Sequence, residues 1–249
     1  MNANKIISVF SEYCMENERK GLFLLIGFFF LSNVGLLSPY RIGSQDELEF
    51  SDSAYSIYES SSLVHTSILY SHVQPGMRTI NFNHPPVYTI LLGFFYKLVG
   101  FSEVSTGFFQ FILRAIFFLL FLVYCKKKKI DFHYIFLLSL AWFFIVKGLS
   151  GRPFSLYIIL STLPALIILK KNISSKSFII IGIILGISFL THYPSIYLGI
   201  PLAITLLIIN HGYRKIIKRM TFMFLSFGAT ILVIWSFYII PYFKEFNEL

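Results

Sequence analysis

Charge is scarce in this chain. Only 13% of its 249 residues are Asp, Glu, Lys or Arg, against about a quarter in a soluble domain. With 56% of residues hydrophobic, an ordinary water-soluble globule is excluded. Acidic residues are the scarcer sign, 12 Asp and Glu against 21 Lys and Arg. The resulting net charge of +9 invites a nucleic-acid partner. That reading fails because the basic residues sit in short loops beside apolar runs, where membrane topology accounts for them. Attraction to anionic headgroups follows as a secondary effect. Cysteine is almost absent. Cys14 and Cys125 are both assigned below to the cytoplasmic side, so no disulfide is expected, and no metal-ligand spacing exists. A cleaved signal is not expected either. The N-terminal stretch mixes Glu12, Glu16, Glu18, Arg19 and Lys20, and the apolar run after it lacks a small-x-small exit, which reads as a retained signal anchor.

What is present is a series of long apolar runs rich in aromatics, with 29 Phe and 15 Tyr. These rings suit lipid-facing surfaces and interfacial belts. A helix needs about 20 apolar residues to cross a bilayer, with roughly 17 tolerated. Residues 21–37, 107–125, 132–148, 154–169, 178–190, 195–210 and 221–240 are the expected spans. Four basic clusters punctuate them: Lys5 with Arg19 and Lys20, Lys126 to Lys129, Lys170 with Lys171 and Lys176, and Arg214, Lys215, Lys218 and Arg219. Residues 87–100 are apolar but short, about 21 Å as a helix. If this segment crossed, the later clusters would switch sides relative to the first. If it lies along the outer surface, all four clusters face the cytoplasm, as the positive-inside rule prefers. The expected fold is therefore an all-α polytopic membrane protein with about seven transmembrane helices. One or two juxtamembrane helices would lie in a first outer loop over residues 38–106, and residues 1–20 would be cytoplasmic. The sequon Asn172-Ile173-Ser174 falls on the inner face and should stay bare.

The segments able to do chemistry gather on the opposite face. Asp46 and Glu47 lie just beyond the first span. A carboxylate beside a low-dielectric surface has a raised pKa and makes a useful general base. The plainer account is that an outer loop needs charge for solubility, as Glu49, Asp52 and Glu59 nearby suggest. His84 precedes Pro85 and Pro86 at a helix entrance. It is either a phosphate contact or a polar cap, and the prolines fit a first helical turn. Arg152 occupies the short turn Ser150-Gly151-Arg152-Pro153. Its guanidinium can fork onto a phosphate, or it is an interfacial cation that snorkels to the headgroups. His192 and Tyr193, in the turn Thr191-His192-Tyr193-Pro194, are a ligand pair or ordinary belt residues. Arg114, one to two turns inside the second span, either snorkels outward or faces a polar cavity. No one of these residues is specific alone; their placement on one face is the signal.

Together these motifs resemble the C-type glycosyltransferase superfamily, in its protein O-mannosyltransferase and aminoarabinose transferase branch. Asp46-Glu47 matches the Asp-Glu pair early in that family's first outer loop. His84-Pro85-Pro86 with the apolar run 87–100 matches its His-Pro-Pro and surface helix. Arg152-Pro153-Phe154-Ser155-Leu156 is similar to its Arg-Pro-Tyr-Ser-Leu, and the Thr-His-Tyr turn two spans later also matches. The resemblance covers nearly the whole chain as a seven-span catalytic module, residues 21–249. It implies an inverting sugar transfer from a polyprenyl-phosphate donor to a lipid, glycan or protein acceptor at the outer membrane face. Asp46 would take the acceptor proton, with Glu47 orienting it. Arg152 and His84 would stabilise the leaving phosphate, and His192 and Tyr193 would bind substrate. No cofactor is required by this chemistry, although some superfamily members use a divalent cation. Gly151 stands where many relatives carry an acidic residue. Relatives continue with an acceptor-selecting half, which is expected to be absent here. A bacterial inner membrane is the expected location. Two alternatives stay open: a transporter or flippase for a lipid-linked substrate, marked by ionisable residues deep within spans, and a truncated, non-catalytic membrane subunit.

Overall fold

The computed structural model describes residues 18–37, 45–60, 85–130, 134–135, 137–139, 153–168, 173–209 and 213–240. All regular structure among the described residues is helical. Two of these helices are long and apolar enough to cross a bilayer, over Glu103–Cys125 and Ile216–Phe237. Five further apolar helices are shorter. The chain divides into two compact units, Met1–Ser44 with Glu103–Gly151, and Gln45–Ser102 with Arg152–Leu249.

In the first unit, α1 runs Glu18–Asn33 and continues as a 3-10 helix Val34–Leu37. The α-helical part stops where polar side chains compete for its carbonyls. Ser32 Oγ and Asn33 Nδ2 both donate to the Phe29 carbonyl, at 2.9 and 2.8 Å, an alternative to the backbone ladder. The second helix of this unit, α4, runs Glu103–Lys127. It begins four residues before the expected span, with Glu103 in the first turn, where the positive end of the helix dipole favours a carboxylate. At its far end the Ile130 N–H reaches back to the Cys125 carbonyl at 3.0 Å, and Lys129 takes a left-handed φ of 52°. This is a Schellman-type stop. It uses lysine where glycine is usual, and the Lys128 and Lys129 cations suit the negative helix end.

The core of this unit is aromatic. Phe29 stacks on Phe118 at 5.0 Å and tilts against Phe111 at 5.5 Å, with Leu25, Cys125 and Ile135 buried around them. Gly107 faces the backbone of the 3-10 helix, and a methyl there would collide with the Leu36 carbonyl. Of the expected span 132–148, only residues 134–135 and 137–139 are described, all helical.

In the second unit, α2 spans Gln45–Ser60 and α3 spans Pro86–Val99. They pack along one stripe each, with Phe50, Ala54 and Ile57 set against Tyr88, Leu92 and Tyr96. Phe50 meets Tyr88 edge-on at 5.3 Å. Gly93 permits the close approach, since a methyl there would lie 2.8 Å from Ile57 Cβ. The opposite side of α3 is apolar too: Leu91, Phe94, Leu98 and Val99 are exposed, and the Lys97 ammonium lies over the Phe94 ring at 6.0 Å. The short segment expected at 87–100 is thus a helix of 14 residues, apolar on both faces because one packs on α2.

The remaining helices are α5 (Phe154–Ile168), α6 (Ser175–Phe189), α7 (Ile196–Ile209) and α8 (Tyr213–Ile239). Ser174 caps α6, its hydroxyl accepting from the Ser177 N–H at 3.3 Å. The start of α8 lies eight residues before the span expected at 221. Arg214, Lys215, Lys218 and Arg219 are good helix formers with no breaker among them, and Gly212 is the last breaker before them. Helices α6 and α8 pair through small residues. At Gly182 a methyl would strike the Met223 carbonyl and the Ser226 hydroxyl, and at Gly186 it would lie 2.9 Å from Thr230 Cβ. Ser226 Oγ donates across the pair to the Ile179 carbonyl at 3.1 Å. Close backbone approach and interhelical hydrogen bonds are how helices associate where lipid removes the hydrophobic drive. Outward-facing Ile200, Leu232 and Phe237 are well exposed, as lipid-facing residues are.

Candidate functional site

Every described segment carrying a sequence-predicted motif belongs to the second unit. Asp46 and Glu47 occupy the first turn of α2, where the helix dipole stabilises carboxylates; their side chains lie outside the described residues. So do His84 and Arg152. Their immediate neighbours are described. Pro85 and Pro86 are buried and open α3. Neither has an N–H, so Val87 supplies the first free donor of that helix. It donates to the Leu190 carbonyl at 3.0 Å. This bond ties the start of α3 to the end of α6, two residues before His192.

The turn after α6 is tightly held. Thr191 N–H and His192 N–H both donate to the Ser188 carbonyl, at 3.1 and 2.9 Å. The His192 carbonyl accepts from Ser195 N–H at 2.9 Å, and Thr191 Oγ1 donates to the Ile187 carbonyl at 2.9 Å. His192 itself is extended, with φ of −158°, and half-buried. Its ring lies 4.9 Å from Phe154 and 5.2 Å from Tyr157, tilted against both. Phe154 opens α5 directly after buried Pro153, whose carbonyl accepts from Tyr157 N–H at 2.9 Å. Hence the Pro85-Pro86, Pro153-Phe154 and Thr191-His192-Tyr193 segments converge on one end of these helices. Tyr193 packs on Phe189 at 5.3 Å, and burial pushes its phenol above the usual value. It remains a neutral donor across physiological pH.

An apolar cavity of about 320 Å³ opens beside this turn, lined by Ser195, Gly199, Ile200, Ile204, Met223 and Phe224 among others. Ser195 is its polar end. Its hydroxyl and that of Ser188 are buried and have no hydrogen-bond partner among the described residues. Such groups carry a desolvation cost unless a partner arrives. Among the described residues, no three His, Cys, Asp or Glu side chains gather as a metal-binding group.

Two features were not anticipated from the sequence. One is the position of α2: the second juxtamembrane helix allowed for in the first outer loop runs Gln45–Ser60 on a stripe of Phe50, Ala54 and Ile57 with helical spacing. The other is the buried pair in the first unit: Arg114 Nη1 donates to Asn33 Oδ1 at 2.9 Å, with each residue only 3% exposed. Arg114 is placed near the middle of α4, eleven residues beyond Glu103 and about two turns inside the span expected from 107. On the same helical face, Thr106 and Gln110 are buried as well.

Helices that expose apolar side chains along their length, two of them long enough to span, define an integral membrane protein. The family model described as dolichyl-phosphate-mannose-protein mannosyltransferase matches residues 83–240, and the chain belongs to that family of membrane glycosyltransferases. The match begins one residue before His84 and includes Arg152, His192 and Tyr193, whereas Asp46 and Glu47 precede it. No curated protein and no solved structure matches the chain.

Proposed function

We propose that this protein moves a sugar from a polyprenyl-phosphate donor to an acceptor at the outer face of a membrane, with inversion at the anomeric carbon. The observation that carries the reading is the convergence, within one unit, of the Pro85-Pro86, Pro153-Phe154 and His192-Tyr193 segments. They lie inside the stretch matched by a family whose name specifies a dolichyl-phosphate sugar donor.

The acceptor hydroxyl attacks the anomeric carbon as Asp46 takes its proton, and Glu47 orients Asp46. The bond from that carbon to the phosphate oxygen breaks, and polyprenyl phosphate leaves with the electron pair. Fixed cations near a developing phosphate charge lower the barrier; Arg152 and His84 fill that role. His192 and the neutral Tyr193 phenol bind the donor. The apolar cavity beside Ser195 suits part of the isoprenoid chain. A phosphate ester leaves readily without a metal, and a divalent cation on the leaving phosphate is compatible with the same residues. The acceptor is a lipid, glycan or protein. Seven spans with a cytoplasmic N-terminus in a bacterial inner membrane put this chemistry outside.

Arg114 is the residue a transporter reading would point to, since ionisable groups in mid-span mark transport paths. Its hydrogen bond to Asn33 gives it a packing role instead.

The test is sugar transfer from a panel of polyprenyl-phosphate sugars in membranes expressing the chain, beside Asp46→Asn at matched expression. Loss of general-base catalysis costs roughly 10²- to 10⁴-fold. Transfer that falls by this amount in the variant supports the reading. Transfer unchanged by the variant removes Asp46 from the site, and no turnover of any donor by a folded chain sinks the enzyme reading and favours a non-catalytic subunit.

A further inference from the structure

We propose that Phe154 and Tyr157 are positioning residues for His192, fixing the orientation of its imidazole; the proposal rests on the reading of His192 as a donor-binding residue. The backbone of His192 is held on both sides, by its N–H to the Ser188 carbonyl and its carbonyl to the Ser195 N–H. That does not fix the ring. The outer torsion of a histidine side chain is broad and roughly two-fold, so contacts made by the ring itself decide which way the imidazole faces. Phe154 and Tyr157 supply that packing. They stand three residues apart in the first turn of α5, a spacing that puts both on one helix face. Their rings meet the imidazole at 4.9 and 5.2 Å, inclined by 54° and 46°. Both rings are half-buried, as is His192.

The arrangement also joins two motifs far apart in sequence. Phe154 is two residues after Arg152, on the helix start that carries buried Pro153. An imidazole wedged against this turn moves with it. The clamp therefore holds the ring against the start of α5, the helix that follows Arg152 in sequence. Preorganisation of this kind reduces the ordering needed on binding. A small displacement of a positioned group can cost roughly a hundredfold in rate.

The experiment uses the full chain in lipid nanodiscs with ¹³C-labelled histidine, the His192 resonance being assigned by its loss in His192→Ala. Ring currents from Phe154 and Tyr157 should displace that resonance from those of solvated histidines. Tyr157→Phe should preserve the displacement, Tyr157→Leu should remove part of it, and Phe154→Leu with Tyr157→Leu should remove most of it. Binding of a short-chain polyprenyl phosphate, followed on the same resonance, should weaken roughly tenfold or more in Tyr157→Leu and be unchanged in Tyr157→Phe. In a His192→Ala background, with binding followed by competition, Tyr157→Leu should add no further loss. A resonance that ignores Tyr157→Leu overturns the proposal, as does full affinity in that variant or an additive loss in the double variant. A wild-type chain that does not bind polyprenyl phosphate overturns the donor reading and the proposal with it. Binding with a clamp-independent His192 removes the proposal alone.

Discussion

In the first unit, α1 and α4 meet through large rings, Phe29 stacked on Phe118, with one buried cation hydrogen-bonded to an amide. In the second, α6 and α8 meet through Gly182 and Gly186, with Ser226 bonding across the gap. Rings keep helix backbones apart and fill the space between them. Glycines bring backbones together and leave no space to fill. The second arrangement tolerates less change along the helix pair, because its contact is backbone itself; the first has such a contact only at Gly107, against the Leu36 carbonyl. It is also the unit in which the motif-bearing turns lie, and a turn such as Thr191-His192-Tyr193 inherits its position from the end of α6. The first unit carries none of the sequence-predicted substrate residues among its described parts, and its polar pair has a structural explanation. The unit that holds the motif-bearing turns pairs α6 and α8 through backbone contact, and the other pairs α1 and α4 mainly through rings.

The sharpest way to break the comparison is at Gly182. Gly182→Leu forces a branched side chain against the Met223 carbonyl and Ser226, where neither backbone can yield cheaply. Overpacking costs about 1–3 kcal/mol and sometimes more, and here the upper end is expected. Thermal unfolding in detergent should show a large drop, and an unchanged midpoint would mean that α6 and α8 are not in backbone contact.

A smaller effect is expected in the first unit. Asn33→Leu removes the acceptor of Arg114 Nη1, and a hydrogen bond to a charged group contributes about 1.5–3 kcal/mol. Asn33→Leu combined with Arg114→Leu should recover part of that loss, because the buried charge that lost this bond is gone as well. Equal destabilisation by the single and double variants would show that the pair is not coupled.

The smallest effect concerns pH. Burial raises the Tyr193 phenol above its usual value of 10.0, so the folded state resists ionisation more than the unfolded chain does. The stability it contributes is complete below about pH 10 and is lost as pH rises through the folded value. Tyr193→Phe should match the wild type near neutrality and lose less stability than it above pH 10. Parallel curves throughout that range would place Tyr193 in water.

Much of this architecture was legible in advance, element by element. The segment 87–100 was expected as a short helix opened by two prolines, and α3 runs Pro86–Val99. The runs 154–169, 178–190 and 195–210 correspond to α5, α6 and α7 within a few residues. A second helix in the first outer loop was expected without a position; α2 could not be located because its stripe of Phe50, Ala54 and Ile57 is embedded among acidic and serine residues. The early start of α8 escaped because Lys and Arg lower hydropathy without lowering helix propensity. Of the candidate site, the residue types and their one-sided placement could be read, while the contact of Phe154 and Tyr157 with His192 could not. Those rings lie more than thirty residues from His192 along the chain, and local periodicity says nothing about such distances.

The sequence by itself determined that this protein is helical and membrane-embedded, and where α3, α5, α6 and α7 begin and end to within a turn or so. Those properties depend on local quantities: the length of an apolar run, the position of a proline, the sign of a nearby charge. Which helices pair, which glycine meets which carbonyl, and which rings hold His192 were decided only by the tertiary structure. A helix meant for lipid is apolar on every side, so it has no polar face to reveal which side packs inward. Its partners are chosen by shape and by a few hydrogen bonds, and these exist only once the chain has folded.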